Sequence, residues 1–250
     1  MFYILYCDQY FYFHGILFVA DIVYTIELKD YNMIQPGNRT GLNLLHLAVS
    51  EGDVCAIHSD SSDDARLLIR TLSTLLAPSR GVYRFKGEQL DFSDYRKILP
   101  VKKKIGFIAQ EAAMSSNRTI RENLLFIRYY FENSLSISLD AYTFKLCELF
   151  RIVDKLDMRP AALDATDLRI AITIRELCKL PELLLVEKPE DFIGQKKFTL
   201  FVDVFEEFLQ SRIPVVFFSN NKHFIRRFSN REIVIKNKQV TALGIDCGQE

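Results

Sequence analysis

The stretch Ser59–Arg66 (SDSSDDAR) has the setting of a phosphate-binding loop without its chemistry. An apolar strand, Val54–Ile57, runs into a short polar turn, and an apolar helix, Leu67–Leu76, follows. That is the context of the pattern G-x-x-x-x-G-K-[ST]. In register with it, Ser59 takes the first glycine, Asp64 the second, Ala65 the lysine and Arg66 the Ser/Thr. Glycines in such a loop let bare N–H groups close around phosphate oxygens, and the lysine matches their charge. Here Asp60, Ser61, Ser62 and Asp63 fill the variable positions. At about 5 Å and an effective dielectric of about 20, each pair of aspartates repels by roughly 3 kcal/mol. The loop is expected to repel a triphosphate.

The elements that would hold this turn are legible as alternating apolar strands and amphipathic helices. Strands are predicted at Val23–Leu28, Leu42–Val49, Val54–Ile57, Val82–Lys86, Ile105–Ala109, Leu183–Val186 and Val215–Phe218, with a closing hairpin at Glu232–Lys236 and Gln239–Leu243. Helices are predicted at Ser93–Ile98, Thr119–Tyr130, Ala141–Leu156, Leu168–Lys179, Gln195–Gln210 and His223–Phe228. This order implies a largely parallel sheet covered on both faces. The aromatic run Met1–Thr25 reads as extra strands on the domain edge, as an interfacial or partner-binding arm, or as a non-native extension. Asp8, His14 and Asp21 interrupt it and no basic segment precedes it, which argues against a signal peptide.

Composition excludes several classes. Lys+Arg (32) balances Asp+Glu (32), so no basic field points to nucleic acid. Five cysteines stand far apart with no C-x-x-C and read as reduced, mostly buried thiols of a cytosolic protein. The four histidines lack metal-ligand spacing. No run of uncharged apolar residues is long enough to predict a transmembrane helix.

From about Ile22 to Leu243 the order of these pieces resembles the nucleotide-binding subunit of an ABC transporter. Ile105–Gln110 (IGFIAQ) resembles the family's Q-loop strand, and Thr119–Leu124 (TIRENL) the helix start after it. Leu163–Asp167 (LDATD) sits where the family has LSGGQ, and Arg169–Leu177 keeps the texture of the helix that follows. Pro181–Pro189 (PELLLVEKP) resembles the Walker B strand, and Val215–Asn221 (VVFFSNN) the switch strand. The segment Leu135–Arg159 with RPAAL looks closest to ATPases of MCE-type lipid-transport systems. The resemblance implies an α/β, ABC ATPase-like P-loop fold. It has a central, mostly parallel sheet, an antiparallel β edge and a helical subdomain at about residues 119–180. Residues 1–22 are expected to form an extension and 23–250 one cassette-like domain.

The same comparison marks departures. Glu187 takes the place of the aspartate that holds Mg²⁺ and Lys188 that of the glutamate that polarises water. A protonated lysine cannot act as a general base. Asn220 replaces the switch histidine, and Gly194 the D-loop aspartate. Asp164 replaces the serine that donates to the γ-phosphate, and Ala165 and Thr166 replace the two glycines. Gln110 is kept; its loop in the family touches metal and also meets the permease. Arg66, one residue past the missing lysine and so roughly 100° around the helix, is expected to point elsewhere. His58 and His223 are expected to be ordinary surface or strand-end residues.

The expectation is therefore a degenerate cassette, a pseudo-ATPase with no catalytic residues and no cofactor. It would serve as a non-hydrolytic component of a membrane transport complex, with lipid as one candidate cargo. It would dock a transmembrane permease through Gln110, Met114 and Ile120 on the cytoplasmic face and pair with a second cassette as homo- or heterodimer. The alternatives are an active but divergent ATPase using ATP and Mg²⁺, and a soluble adaptor without a transporter.

Overall fold

The computed structural model describes residues 10–13, 16–19, 23–34, 41–134, 136–190 and 195–244. Strands β1 (Tyr10–Phe13) and β2 (Ile16–Val19) pair with each other in a two-stranded antiparallel sheet. The remainder of the Met1–Ile22 segment lies outside the described residues. The main strands are β3 (Ile26–Ile34), β4 (Gly41–Val49), β5 (Val54–Ser59), β6 (Arg80–Phe85), β7 (Glu88–Gln89), β8 (Ile105–Ile108), β9 (Leu183–Glu187), β10 (Val215–Phe218), β11 (Arg231–Lys236) and β12 (Gln239–Gly244). They form one ten-stranded sheet in the order β7-β6-β3-β4-β12-β11-β5-β10-β9-β8. From β11 through β5, β10, β9 and β8 all neighbours are parallel, and β3, β4, β6 and β7 are antiparallel. The antiparallel strands form one edge of this sheet, as expected, and join the rest where β12 meets β4 at the pair Gln239 and Asn43.

The parallel strands are buried on both faces, and their side chains alternate between two cores. Cys55 and Ile57 of β5, Leu183 and Leu185 of β9, and Val216 and Phe218 of β10 enter the core shared with the antiparallel strands. Val54 and Ala56, Leu184 and Val186, and Val215 and Phe217 enter the core on the opposite face. The first core is covered by α1 (Ser62–Leu72), whose Leu68, Ile69 and Leu72 are fully buried. The second is covered by α3 (Ile120–Glu132), α4 (Ala141–Leu149), α5 (Ala165–Leu177) and α6 (Gln195–Gln210). Helices α2 (Tyr95–Lys104) and α7 (Lys222–Phe228) complete the set used below.

Helix boundaries differ from the sequence reading where caps decide them. Helix α1 starts five residues before Leu67, because Ser61 caps it. Asp94 caps α2, which runs on to Lys104, beyond the expected end at Ile98. The helix expected to reach Leu156 stops at Leu149, where Arg151 takes φ +58° and a 3₁₀ turn, Val153–Lys155, follows. Asp164 caps α5, which therefore begins at Ala165. Thr119 and Glu122 form a complete capping box on α3. Thr119→Ala is expected to lower unfolding free energy by about 1 kcal/mol, measured by urea denaturation; an unchanged midpoint would count against the cap.

Cys55 and Cys147 are buried and Cys178 nearly so. Burial pushes their thiols up to about 12, 11 and 12 respectively, so they are inert at neutral pH. Cys7 and Cys247 lie outside the described residues.

Candidate functional site

The parallel register carries the ends of β5, β8 and β9 to one edge of the sheet, where α/β proteins bind ligands. Glu187 pairs with Phe218, and Val186 with Ile108, so β9 ends beside the chain leaving β8 at Gln110. Between β5 and α1 stand only Asp60 and Ser61. Ser62, Asp63 and Asp64, which the pattern would wrap around phosphate, are the first turn of α1. Two N–H groups of that turn are spent internally. The Ser61 hydroxyl accepts from Asp64 N–H at 3.4 Å, and the Ser61 carbonyl accepts from Ala65 N–H at 3.2 Å. The Ser59 hydroxyl accepts from Ser61 N–H at 3.2 Å.

The aspartates do not act together as expected. Asp64 is buried, and Lys238 in the β11–β12 turn places its Nζ 2.5 Å from Asp64 Oδ1. Repulsion is therefore left to Asp60 and Asp63, which are exposed. Ala65 is fully buried and offers nothing to a ligand.

Arg66, expected to point elsewhere, instead reaches two other candidate site residues, a destination that the sequence did not disclose. Its Nε donates to Glu187 Oε1 at 2.8 Å and its Nη2 to Gln110 Oε1 at 2.8 Å. The backbone N–H of Gln110 donates to Glu187 Oε2 at 3.0 Å, so both carboxylate oxygens are engaged. Glu187 is 3% exposed. Its hydrogen bond to Arg66 holds the guanidinium proton more firmly than usual. Next in the chain, Lys188 has φ +41°, in the left-handed region, and its N–H donates to the Phe218 carbonyl at 2.7 Å. Its ammonium sits 5.2 Å from the Phe218 ring centre.

The chain after Gln110 has no regular structure, yet side chains hold it closely. Arg169 donates to the Ala112 carbonyl at 3.0 Å and Arg175 to the Ala113 carbonyl at 2.7 Å. Buried Asn123 accepts from Ser115 N–H at 2.7 Å and donates to the Ser115 carbonyl at 3.1 Å. One correction concerns the docking residues. Ile120 is fully buried in the core, and Met114 is half-buried against it, because α3 turns its first residue inward. The exposed surface nearby is a groove of about 360 Å³, lined by Ala113, Ser115, Phe126, Ile127, Arg175 and Lys179.

The other residues singled out stand apart from this cluster. Asp164 accepts from Asp167 N–H at 2.8 Å and so caps α5. Asp167, at the last position of LDATD, is the buried acid there and pairs with Lys155 and with Lys197 (2.7 Å). Asn220 is exposed, and its N–H donates to Glu190 Oε1 at 2.5 Å. His58 lies 3.4 Å from Glu232 across neighbouring strands, and His223 is exposed in the first turn of α7. Gly194 lies outside the described residues.

The Arg66 guanidinium, bonded to Glu187 and Gln110, fills the place where the resemblance would put a magnesium ion. A cation between Glu187 and the Gln110 amide oxygen would have to share the space of the Arg66 guanidinium. The hollow beside them, lined by Arg66, Arg70, Phe107 and Glu187, holds about 130 Å³. Among the described residues no group of three or more His, Cys, Asp or Glu could hold a metal ion.

The fold is that of an ABC transporter ATP-binding cassette. It superposes on a solved ATP-binding subunit of an ABC transporter with a TM-score of 0.74, covering 89% of this chain and 90% of that one at 15% identity. Against the dimeric structure of MJ0796, a bacterial ABC transporter cassette, the TM-score is 0.73, covering 88% and 98% at 16% identity. Sequence neighbours are ABC transporter ATP-binding subunits as well. The molybdenum import ATP-binding protein ModC of Rhizobium meliloti is 25% identical over 197 residues, covering 78% of this chain and 54% of ModC. The methionine import ATP-binding protein MetN of Lactobacillus johnsonii is 24% identical over 226 residues, covering 88% of this chain and 64% of MetN. The chain thus spans 54–64% of the length of these two relatives. No protein-family model matches it. No helix among the described residues is long and apolar enough to cross a membrane.

Proposed function

We propose that this chain is a degenerate ABC cassette, a structural or regulatory subunit that neither binds nor hydrolyses ATP at useful levels. The observation that carries the reading is the two-residue junction between β5 and α1, which leaves no open loop of N–H groups for a triphosphate. Phosphoryl transfer depends almost wholly on positioning and charge stabilisation. Ala65 supplies no cation, Lys188 no general base, and Asn220 no titratable group at the switch position.

The subunit would sit on the cytoplasmic face of a transport complex, against a permease, with the groove beside Ala113 and Phe126 as the contact surface. MJ0796 is dimeric, which supports pairing with a second cassette. Pairing with an intact partner would still leave Asp164 facing its γ-phosphate. The relatives are named for molybdenum and methionine import and lend no weight to a lipid cargo.

Isothermal titration with Mg-ATP tests the reading. Micromolar-to-millimolar sites rest on about 4–8 kcal/mol. The absent lysine and loop donors each remove about 1–3 kcal/mol. No heat of binding is expected up to millimolar nucleotide. Clear micromolar binding would overturn the reading in favour of the active, divergent ATPase.

A further inference from the structure

The geometry points to Arg66 as a resident cation: its guanidinium takes the position of a divalent metal between Glu187 and Gln110 and permanently fixes Gln110, the start of the 110–115 loop. The inference rests on the degenerate-cassette reading and goes further, because it assigns a role to the groups that remain. A carboxylate that is 3% exposed needs a compensating charge. Glu187 has one within hydrogen-bond distance, at 2.8 Å, on a side chain from 121 residues earlier. The planar fork also reaches the Gln110 amide oxygen at 2.8 Å, so one side chain satisfies two oxygens that would otherwise suit a hard cation.

Arg66 and Glu187 fix the first residue of a loop without secondary structure, and other side chains hold most of the rest. Gln110 is fixed by side chain and backbone, Ala112 by Arg169, Ala113 by Arg175, and Ser115 by Asn123. A covalently attached cation cannot dissociate. Hence the start of the loop, which forms one wall of the Ala113–Phe126 groove, keeps its place whatever metal or nucleotide is present.

The test uses Mn²⁺ alone, without nucleotide, on the full chain. Mn²⁺ binding is followed by electron paramagnetic resonance and loop order by hydrogen–deuterium exchange. The wild type is expected to bind no Mn²⁺ through Glu187 and to show unchanged exchange at residues 110–115. Arg66→Ser should accelerate exchange at Gln110 and its neighbours by about tenfold, the scale of a lost hydrogen bond to a charged group. Added Mn²⁺ should reverse part of that increase, and Arg66→Ser with Glu187→Gln should abolish the reversal. If circular dichroism shows Arg66→Ser unfolded, Arg66→Lys serves. It keeps the charge but loses the fork, so it should exclude Mn²⁺ yet loosen Gln110.

Glu187-dependent Mn²⁺ binding by the wild type would overturn the inference, as would wild-type exchange rates in a folded Arg66→Ser. Neither result would touch the degenerate-cassette reading, which fails only on Mg-ATP binding.

Discussion

Glu176→Ala is expected to lower the unfolding free energy by about 3–5 kcal/mol, the range for removing one partner of a buried charged pair. Glu176 is 4% exposed on the sheet-facing side of α5. Oε1 accepts from Arg175 Nε at 3.0 Å, and Oε2 accepts from Lys179 and from the Phe107 backbone N–H at 3.1 Å. That last bond covers the outward donor of β8, the end strand of the main sheet. The approach is close: a Cβ on Gly106 would stand 3.2 Å from the Glu176 carbonyl oxygen. Truncation would leave two cations and a backbone donor without their acceptor, and would loosen Arg175 and hence Ala113. Glu176→Gln should recover only part of the loss, because an amide oxygen accepts but carries no charge. The chain has no tryptophan, so urea melts followed by circular dichroism are the measurement. A loss below about 1 kcal/mol, the size of an ordinary hydrogen bond, would show that the carboxylate is not the tie between β8 and α5.

Phe205→Ala is expected to cost about 3–5 kcal/mol through lost burial and the cavity left behind. Phe205 is 2% exposed on α6. Its ring centre lies 5.2 Å from those of Phe224 and Phe228, 5.6 Å from Phe201 and 6.4 Å from Phe217. It therefore joins α6, α7 and β10 in one aromatic cluster. Phe205→Leu refills most of the volume and should restore more than half of the loss. Equal losses in both variants would mean that edge-to-face ring contacts, not filled space, hold the cluster.

The parallel strands were legible in the sequence because a strand buried on both faces must be an unbroken apolar run, whereas the strand expected at Val23–Leu28 runs instead over Ile26–Ile34. Leu183–Val186 and Val215–Phe218 are such runs, and the structure places them side by side. Helix starts were less legible, because a cap competes locally with the apolar period. Ser61 moves α1 back over Ser62–Asp64 and removes the very loop that the motif comparison assumed. The two docking residues were misjudged in part for a related reason. A segment between elements reads as exposed, but Ile120 is already the first helical residue and faces the core.

By itself the sequence determined the α/β class and the cassette-like order of elements. Those properties reside in residue types and in patterns a few residues long. Tertiary structure alone decided where the remaining charges go. Arg66 meets Glu187, Asp64 meets Lys238, and Glu176 meets Phe107, at separations of 121, 174 and 69 residues. Helical rotation fixes the direction of Arg66 relative to its own axis and says nothing about what stands there. The parallel register of β5, β10, β9 and β8 brings distant chain ends to one edge, and burial then obliges each carboxylate to find a partner among the donors that arrive with it.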